Sequence, residues 1–257
     1  LGNDLKDKVA IVFGASTVGG MGQAIARRLS AEGAKVVVSG LGLAALEEIA
    51  AELGGSAFEA DMTVESQIKG LVEHASTTFG RLDIAVNAVG LSPRVPFKDL
   101  TEEHLILMAR MHFIGPALFI KHVAEVIVDD GAIVNISTLS AYDTLSGIAG
   151  YAASKRAGDR IVQAAAVEYR AKRLRINGII PSLVPSELSR RGIRDFGFDA
   201  EAFEKTFADL TPLGRVARPE DLAAFAYMLV RDEFFETGQI FHCSGGNSLL
   251  GHPRYLA

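Results

Sequence analysis

Short apolar runs rich in Val and Ile recur along this chain, each followed by a stretch of helical spacing, and that alternation leaves few architectures open. "KVAIVFGAS" ends in glycine and passes through a loop into "GQAIARRLSAEGA", which Gly33 stops. "KVVVSG" leads to "LAALEEIAAELGG", and "SAFEADM" to "SQIKGLVEHASTTFG". "LDIAVNAVG", "EEHLILMARMHFIGPALFIKHVAEVI", "GAIVNIS", "GYAASKRAGDRIVQAAAVEYRAK" and "LRINGIIPS" carry the rhythm to about Ser182; "PEDLAAFAYMLVRD" and "GQIFHCSGG" close it. Strands that are apolar throughout are buried on both faces, and strands joined by helices run parallel. The pattern predicts an α/β fold, a Rossmann-type doubly wound parallel sheet in three layers. A chain of 257 residues can build it as a single domain, 1–257.

One segment breaks the rhythm. Residues 183–213 read as a loop-rich excursion that holds Phe196, Phe198, Phe203 and Phe207 beside Arg190, Arg191 and Arg194. Long irregular segments in compact domains are often functional, and a substrate lid is the expectation, against a plain surface excursion packed by its own aromatics. Elsewhere no repeat, linker or low-complexity tract interrupts the chain.

Composition narrows the partners. A net charge of −5, with 26 basic residues scattered along the chain, gives no footprint for nucleic acid or an anionic membrane. The lone Cys243 excludes an internal disulfide and a multi-cysteine metal site, so no metal is expected. No uncharged run reaches the roughly eighteen apolar residues of a membrane span, and "LGNDLKDKVA" lacks the apolar core of a signal peptide. The cytoplasm is the expected location.

"GASTVGGMG", Gly14 to Gly22, lies between the first strand and the first helix. Glycines there let backbone approach a pyrophosphate, and the helix N-terminus supplies free N–H groups and a positive dipole end. The loop predicts a dinucleotide, although its spacing departs from G-x-G-x-x-G. At the end of the second strand, where an acid would hydrogen-bond the adenosine ribose of NAD, stand Ser39, Gly40 and Leu41. With neither an acid to repel a 2′-phosphate nor a cation to welcome it, NADP or NAD is expected, with a slight lean to NADP.

Tyr151 and Lys155, four apart in "YAASK", project from one helix face. A cation close to a phenol favours the phenolate, so Lys155 can bring Tyr151 toward general acid/base work on a carbonyl or alcohol. Alone, such a pair is a common accident of helices. Together with the phosphate loop and the strand order, the chain resembles the short-chain dehydrogenase/reductase family, in its single-domain branch of about 250 residues with Y-x-x-x-K. The resemblance spans the whole chain: "VFGASTVGGMG", "ADMT", "VNAVG", "IVNIS", "YAASK", "RINGIIPS" and "PLGRVARPEDLA".

The resemblance implies an NAD(P)-dependent oxidoreductase that moves a hydride between nicotinamide and a carbonyl or secondary alcohol. Tyr151 would serve as acid or base, and Lys155 would hold the nicotinamide ribose and lower the tyrosine's pKa. Gly14, Ser16, Gly20, Met21 and Gly22 would form the cofactor loop. Ser39 and Gly40 would meet the ribose, and Asp61 and Met62 the adenine. Asn87, Val89 and Gly90 would follow, with Pro181, Val184 and Ser186 at the carboxamide. A homotetramer is also implied. Where the family has a catalytic serine, thirteen residues before Tyr151, this chain has Thr138, which keeps the hydroxyl but adds a methyl and a stiffer χ1. Ser137 should point the other way along an alternating strand, and Ser140 is the remaining alternative.

His112 takes the place of an asparagine that helps hold a water on the proton path in the family. It could keep the backbone part of that role and relay protons near neutral pH, or simply pack. Ser182 and Ser244 also depart from the family's "PG" and "DGG". The cofactor loop is longer than usual and resembles that of the enoyl-reductase branch, but the four-residue Tyr–Lys spacing argues for carbonyl chemistry. An enoyl (C=C) reductase and a catalytically silent nucleotide-binding sensor or subunit are the rivals. Around Tyr142, Leu145 and the phenylalanines the sequence favours an apolar or aromatic substrate, whereas the arginines of the excursion could receive a carboxylate or phosphate. Acidic Asp129 and Asp130 make an acyl-carrier-protein partner less attractive.

Overall fold

The computed structural model describes residues 4–250, apart from 144 and 196. Its centre is a seven-stranded sheet, parallel throughout, in the order β3-β2-β1-β4-β5-β6-β7. The strands are β1 (Val9–Phe13), β2 (Lys35–Gly40), β3 (Ser56–Glu59), β4 (Ile84–Asn87), β5 (Ala132–Ile136), β6 (Arg175–Pro181) and β7 (Ile240–Cys243). β1, β4 and β5 are buried at every position, as continuous apolar strands require.

Helices cover both faces. On one side lie α1 (Met21–Ala31), α2 (Leu43–Leu53) and α9 (Pro219–Val230), which bury Ile25, Leu29, Leu46, Ile49, Leu222 and Leu229 against Val12, Val38 and Val86. On the other lie α3 (Glu65–Phe79), α5 (Gly115–Val126) and α6 (Ala149–Glu168), which bury Ile68, Leu71, Phe119, Val123 and Val162 against Ile11, Val37 and Ile133. Each such side chain withdrawn from water contributes about 1.5–3 kcal/mol, offset by the chain entropy lost on folding. The strand order reverses direction between β1 and β4, so their carboxyl ends part and leave a crevice there.

Two segments differ from the sequence reading. The apolar run "EEHLILMARMHFIGPALFIKHVAEVI" is not one helix. It forms α4 (Glu102–Ala109), a π-helical turn over Arg110–Ile114, and then α5. Pro116 has no N–H to return to residue 112, and the Gly115 N–H bonds instead to the Arg110 carbonyl, five residues back. The excursion at 183–213 is not loop-rich either: it holds α7 (Glu187–Asp195) and α8 (Ala200–Asp209). Asp199 caps α8 by accepting from the Ala202 N–H, and Phe203 stacks on Phe207 at 5.0 Å. Phe198 packs at 5.9 Å from Phe203, while Phe196 lies outside the described residues.

Candidate active site

The crevice begins at the glycine loop. The amides of Gly14 and Ala15 donate to the Ser39 carbonyl, which draws the end of β1 onto β2. A Cβ on Gly14 would stand 2.6 Å from the Ala88 carbonyl carbon, and one on Gly22 would stand 2.1 Å from the Gly14 oxygen. Gly14 also has φ of 101°. These glycines let the loop, the start of α1 and the end of β4 close on one another, a fit no side chain would allow. Gly20 caps α1 with backbone alone, and its first turn holds no acid, so this end keeps donors for an anion. Met21 packs against the core while Val18 is 73% exposed at the loop's crest.

The buried hydroxyls of Ser16 and Ser39 have no hydrogen-bond partner. A cradle of bare backbone, an uncapped helix start and two unpartnered hydroxyls fit a dinucleotide phosphate and ribose. Gly40, with φ of 156°, lies so close to Ser16 that a Cβ would stand 2.2 Å from its hydroxyl.

Glu59 was not singled out in the sequence. It is in register with Gly40, and its carboxylate accepts from the Gly42 N–H at 2.7 Å. An acid therefore does stand at the end of β2, contributed by the neighbouring strand, and the expectation of none is corrected. The signal was available only once β2 and β3 were paired in register.

Three other expected cofactor residues have their side chains engaged within the protein. Met62 is core, with Gly115 against it. Asn87 donates to Asn135 across the β4–β5 pair at 2.7 Å and accepts from the Val89 N–H at 3.0 Å. Ser186 accepts from the Ser189 N–H at 3.1 Å, at the start of α7. Asp61 bends back to accept from the amide and hydroxyl of Thr63, both at 2.8 Å. Pro181 closes β6 and Val184 is buried just beyond it. Ser182 donates to Asn247 at 2.8 Å, and Ser244 to Ser248 at 3.2 Å.

On α6, Tyr151 and Lys155 stand one turn apart, and Thr138 lies at the end of β5. The Thr138 oxygen accepts from the Ser140 N–H at 3.2 Å and hydrogen-bonds the Tyr151 hydroxyl. With its lone pairs facing an amide, the Thr138 hydroxyl is free to donate toward Tyr151. Ser137 turns the other way, as strand alternation requires, and donates to Asp159 at 2.8 Å. Ser140 contributes its amide to this group.

Lys155 differs from expectation. Its ammonium donates to the carbonyls of Ile136 at 2.7 Å and Val89 at 3.2 Å, so it ties β5 to the loop after β4. Burial lowers its pKa to about 8, with Asp159 acting in the other direction. Tyr151 is pushed up from its ordinary 10 by burial; Thr138 pulls it down and Asp159 raises it further. Among the chain's own groups it is the Thr138 hydroxyl, and not Lys155, that favours the phenolate.

His112 is 1% exposed in the π-helical turn. Its ring meets that of Tyr151 edge-on at 5.0 Å, and its Nε2 accepts from the Leu91 N–H at 3.3 Å. Burial and the nearby Lys155 charge lower its pKa to about 2. It is therefore neutral near pH 7, and a relay that charges and discharges there is ruled out. Gly90 lies within reach of Lys155: a Cβ on it would stand 3.8 Å from the ammonium. A Cβ on Gly158 would stand 2.5 Å from the His112 carbonyl oxygen, which shows how tightly α6 presses on that turn.

At the mouth, half-exposed Tyr142 carries the Arg156 guanidinium 4.1 Å above its ring. Arg94 lies over Phe198 at 5.5 Å and Phe203 at 5.8 Å, joining the loop after β4 to α7 and α8. Among the described residues no cluster of His, Cys, Asp or Glu could hold a metal ion. No helix among them is long and apolar enough to cross a membrane.

A phosphate cradle at the sheet's switch point, beside a tyrosine activated from the next strand but one, defines a nucleotide-dependent oxidoreductase. The family model described as enoyl-(acyl carrier protein) reductase matches residues 14–248. The chain is 31% identical to a cyclohexanol dehydrogenase from an Acinetobacter species, covering 95% of this chain and 96% of that protein. It is 30% identical to the cis-4-hydroxycyclohexanecarboxylate dehydrogenase of Sinomonas cyclohexanicum, covering 96% and 98%. A solved short-chain type dehydrogenase/reductase from Mycobacterium ulcerans superposes with a TM-score of 0.88 at 28% identity, over 97% of this chain and 93% of that one. The chain belongs to the short-chain dehydrogenase/reductase family. It is an oxidoreductase of CH–OH and C=O groups, using NAD(P).

Proposed function

We propose that the chain interconverts an apolar cyclic or aromatic secondary alcohol and its ketone, with NAD as the preferred nucleotide. The observation that carries the reading is the meeting of Tyr151, Thr138 and Lys155 at the ends of β4 and β5. A bound nicotinamide dinucleotide supplies the hydride acceptor or donor. Tyr151 gives the carbonyl oxygen its proton, or takes the alcohol's. Thr138, with its oxygen already held by the Ser140 amide, orients its O–H toward that oxygen and toward Tyr151. Lys155 holds the Val89 and Ile136 carbonyls and presents its charge beside the ribose position.

His112 contributes by position. A neutral ring fixes the Leu91 amide and buttresses Tyr151. Gly14, Ser16, Gly20, Gly22 and Ser39 suit the pyrophosphate and adjoining ribose through backbone donors and free hydroxyls. Asp61, Val89, Gly90, Pro181 and Val184 border the same crevice by their places at the strand ends.

The preference moves from NADP to NAD because the Glu59 carboxylate sits on Gly42, where a 2′-phosphate would meet it. The apolar substrate is supported by the phenylalanine pair of α8 and by the cyclic alcohols named for the two relatives. α7 and α8 act as the lid. Assembly into a homotetramer is supported by the apolar strip of Leu105, Ile106, Leu107, Ile114 and Val126, all left in contact with solvent on α4, α5 and the turn between them. A reducing cytoplasm suits a chain with one cysteine.

The family description makes reduction of a conjugated C=C the second reading. Fluorescence titration with NADH and NADPH, followed by turnover of cyclohexanol, cyclohexanone and a conjugated enoyl thioester, decides among these. Tighter NADH binding, with ketone turnover that falls on Thr138→Ala, is expected. Turnover of the thioester alone moves the assignment to enoyl reduction, and nucleotide binding without turnover of any of the three makes the chain a silent binder.

A further inference from the structure

α6 carries a second buried charge that the reaction described above does not use. Asp159 is 2% exposed and lies one turn beyond Lys155, itself 4% exposed, on the same face of the helix. Burying a carboxylate costs several kcal/mol unless it is paired and hydrogen-bonded. Its Oδ2 accepts from the Ser137 hydroxyl at 2.8 Å, a buried bond between α6 and the residue immediately before Thr138. The Tyr142 hydroxyl is a further hydrogen-bond partner, and Arg156 caps the Tyr142 ring on the solvent side. Lys155 spends its own donors on the neutral carbonyls of Ile136 and Val89, which cannot balance its charge.

We propose that Asp159 is a positioning residue for the Tyr151–Lys155 pair: a buried counter-charge that keeps the Lys155 ammonium protonated and, through Ser137, fixes the end of β5 that presents Thr138. The proposal rests on the reading of Tyr151 and Lys155 as the reacting pair.

The charged and titratable groups around this centre are few. On α6 itself they are Tyr151, Lys155 and Arg156; the segment after β5 contributes Tyr142; the π-helical turn contributes His112; and α4 contributes His104, packed at Gly150. His112 is neutral, and Tyr142, pushed up to about 12 by burial and by Asp159, is neutral as well. Asp159 is therefore the negative charge available to Lys155 among them. The same charge also raises Tyr151, so it holds protons on both members of the pair. Removing it should move both titrations to lower pH.

The test reads Lys155 directly. The chain is labelled with ε-13C lysine, the Lys155 resonance is identified by its absence in Lys155→Met, and its titration is followed by NMR in wild type and Asp159→Asn. Asparagine keeps an oxygen for Ser137 and loses only the charge. A midpoint lower by about one unit or more is expected, the size of shift a neighbouring opposite charge produces. An unmoved midpoint in a folded variant overturns the proposal.

Should Asp159→Asn fail to fold, Ser137→Ala serves. Without the hydroxyl's donation the carboxylate holds its proton to higher pH, so the Lys155 titration shifts in the same direction by a smaller amount; no shift overturns the proposal. A separate assay of Lys155→Met with cyclohexanol distinguishes the failures. Retained turnover there would sink the reading of the reacting pair, whatever the NMR midpoint does.

Discussion

The floor of the site and its cover are held by different physics. The floor, where β1, β4, β5 and α6 meet, is fixed by burial: glycines with no room for a Cβ, an ammonium clasped by two carbonyls, and a carboxylate bonded to Ser137. The cover, α7 and α8, buries nothing from α7 and is joined largely by exposed pairs, Arg190 with Glu204 at 2.7 Å and Arg194 with Glu187 at 2.6 Å. Exposed pairs contribute little to stability, whereas a misfit in a packed core is felt at once. One region cannot move without breaking the fold; the other can open at small cost.

The comparison is strained hardest at Tyr151. Tyr151→Phe should lower kcat by about 10²–10⁴-fold while nucleotide affinity, measured by fluorescence, stays near wild type. Full activity in the Tyr151→Phe protein would move the proton source elsewhere on the floor. Next comes Thr138→Ala, expected to cost about 100-fold in kcat, the size of effect seen for one lost oxyanion donor, with Thr138→Ser retaining most of the rate. Equal rates in all three proteins would take Thr138 out of the reaction. Gly22→Ala then asks whether the floor tolerates a single methyl. With the Gly14 oxygen 2.1 Å from the added carbon, urea denaturation should record a loss of about 1–3 kcal/mol, accompanied by weaker NADH binding.

A smaller effect is expected from pH. The folded His112 pKa of about 2 lies below the ordinary 6.5, so between these values the unfolded chain binds the extra proton. Stability contributed at this site is therefore complete above pH 6.5 and falls on acidification, by up to about 1.4 kcal/mol per pH unit. His112→Asn should flatten the fall in urea midpoint between about pH 6.5 and about pH 5; an unchanged slope would mean that the histidine is hydrated in the folded chain. Smallest of all, Arg190→Ala should leave the global urea midpoint where it is and speed protease cleavage within 183–213. If it lowers the global midpoint instead, the cover is as integral as the floor.

Legibility in the sequence follows the same division. The strands, the glycine cradle and the Thr138–Tyr151–Lys155 group were readable because each depends on local pattern or on a fixed count along the chain. What was missed depends on register or on long-range contact. Glu59 reaches Gly42 only across the β2–β3 pair, and Asp159 meets Ser137 from 22 residues away. Met62 reads like a member of the adenine loop yet fills the core beneath Gly115. α7 escaped notice because it is short, is interrupted by Gly192 and carries charge where an amphipathic helix would carry an apolar stripe. The direction of the Lys155 donors could not be read from spacing at all.

The π-helical turn before Pro116 has a consequence for how the chain tolerates insertions and deletions. Such a turn spends one more residue than the α-helix it replaces. Losing any one of residues 110–114 would let α4 wind straight into α5 and rotate every later side chain by about 100° around the axis. Phe119 and Val123, now in the core, would swing toward water, and the imidazole would leave the edge of the Tyr151 ring. Length in this turn works as a gear tooth, so substitutions there should be survivable while single-codon deletions should not.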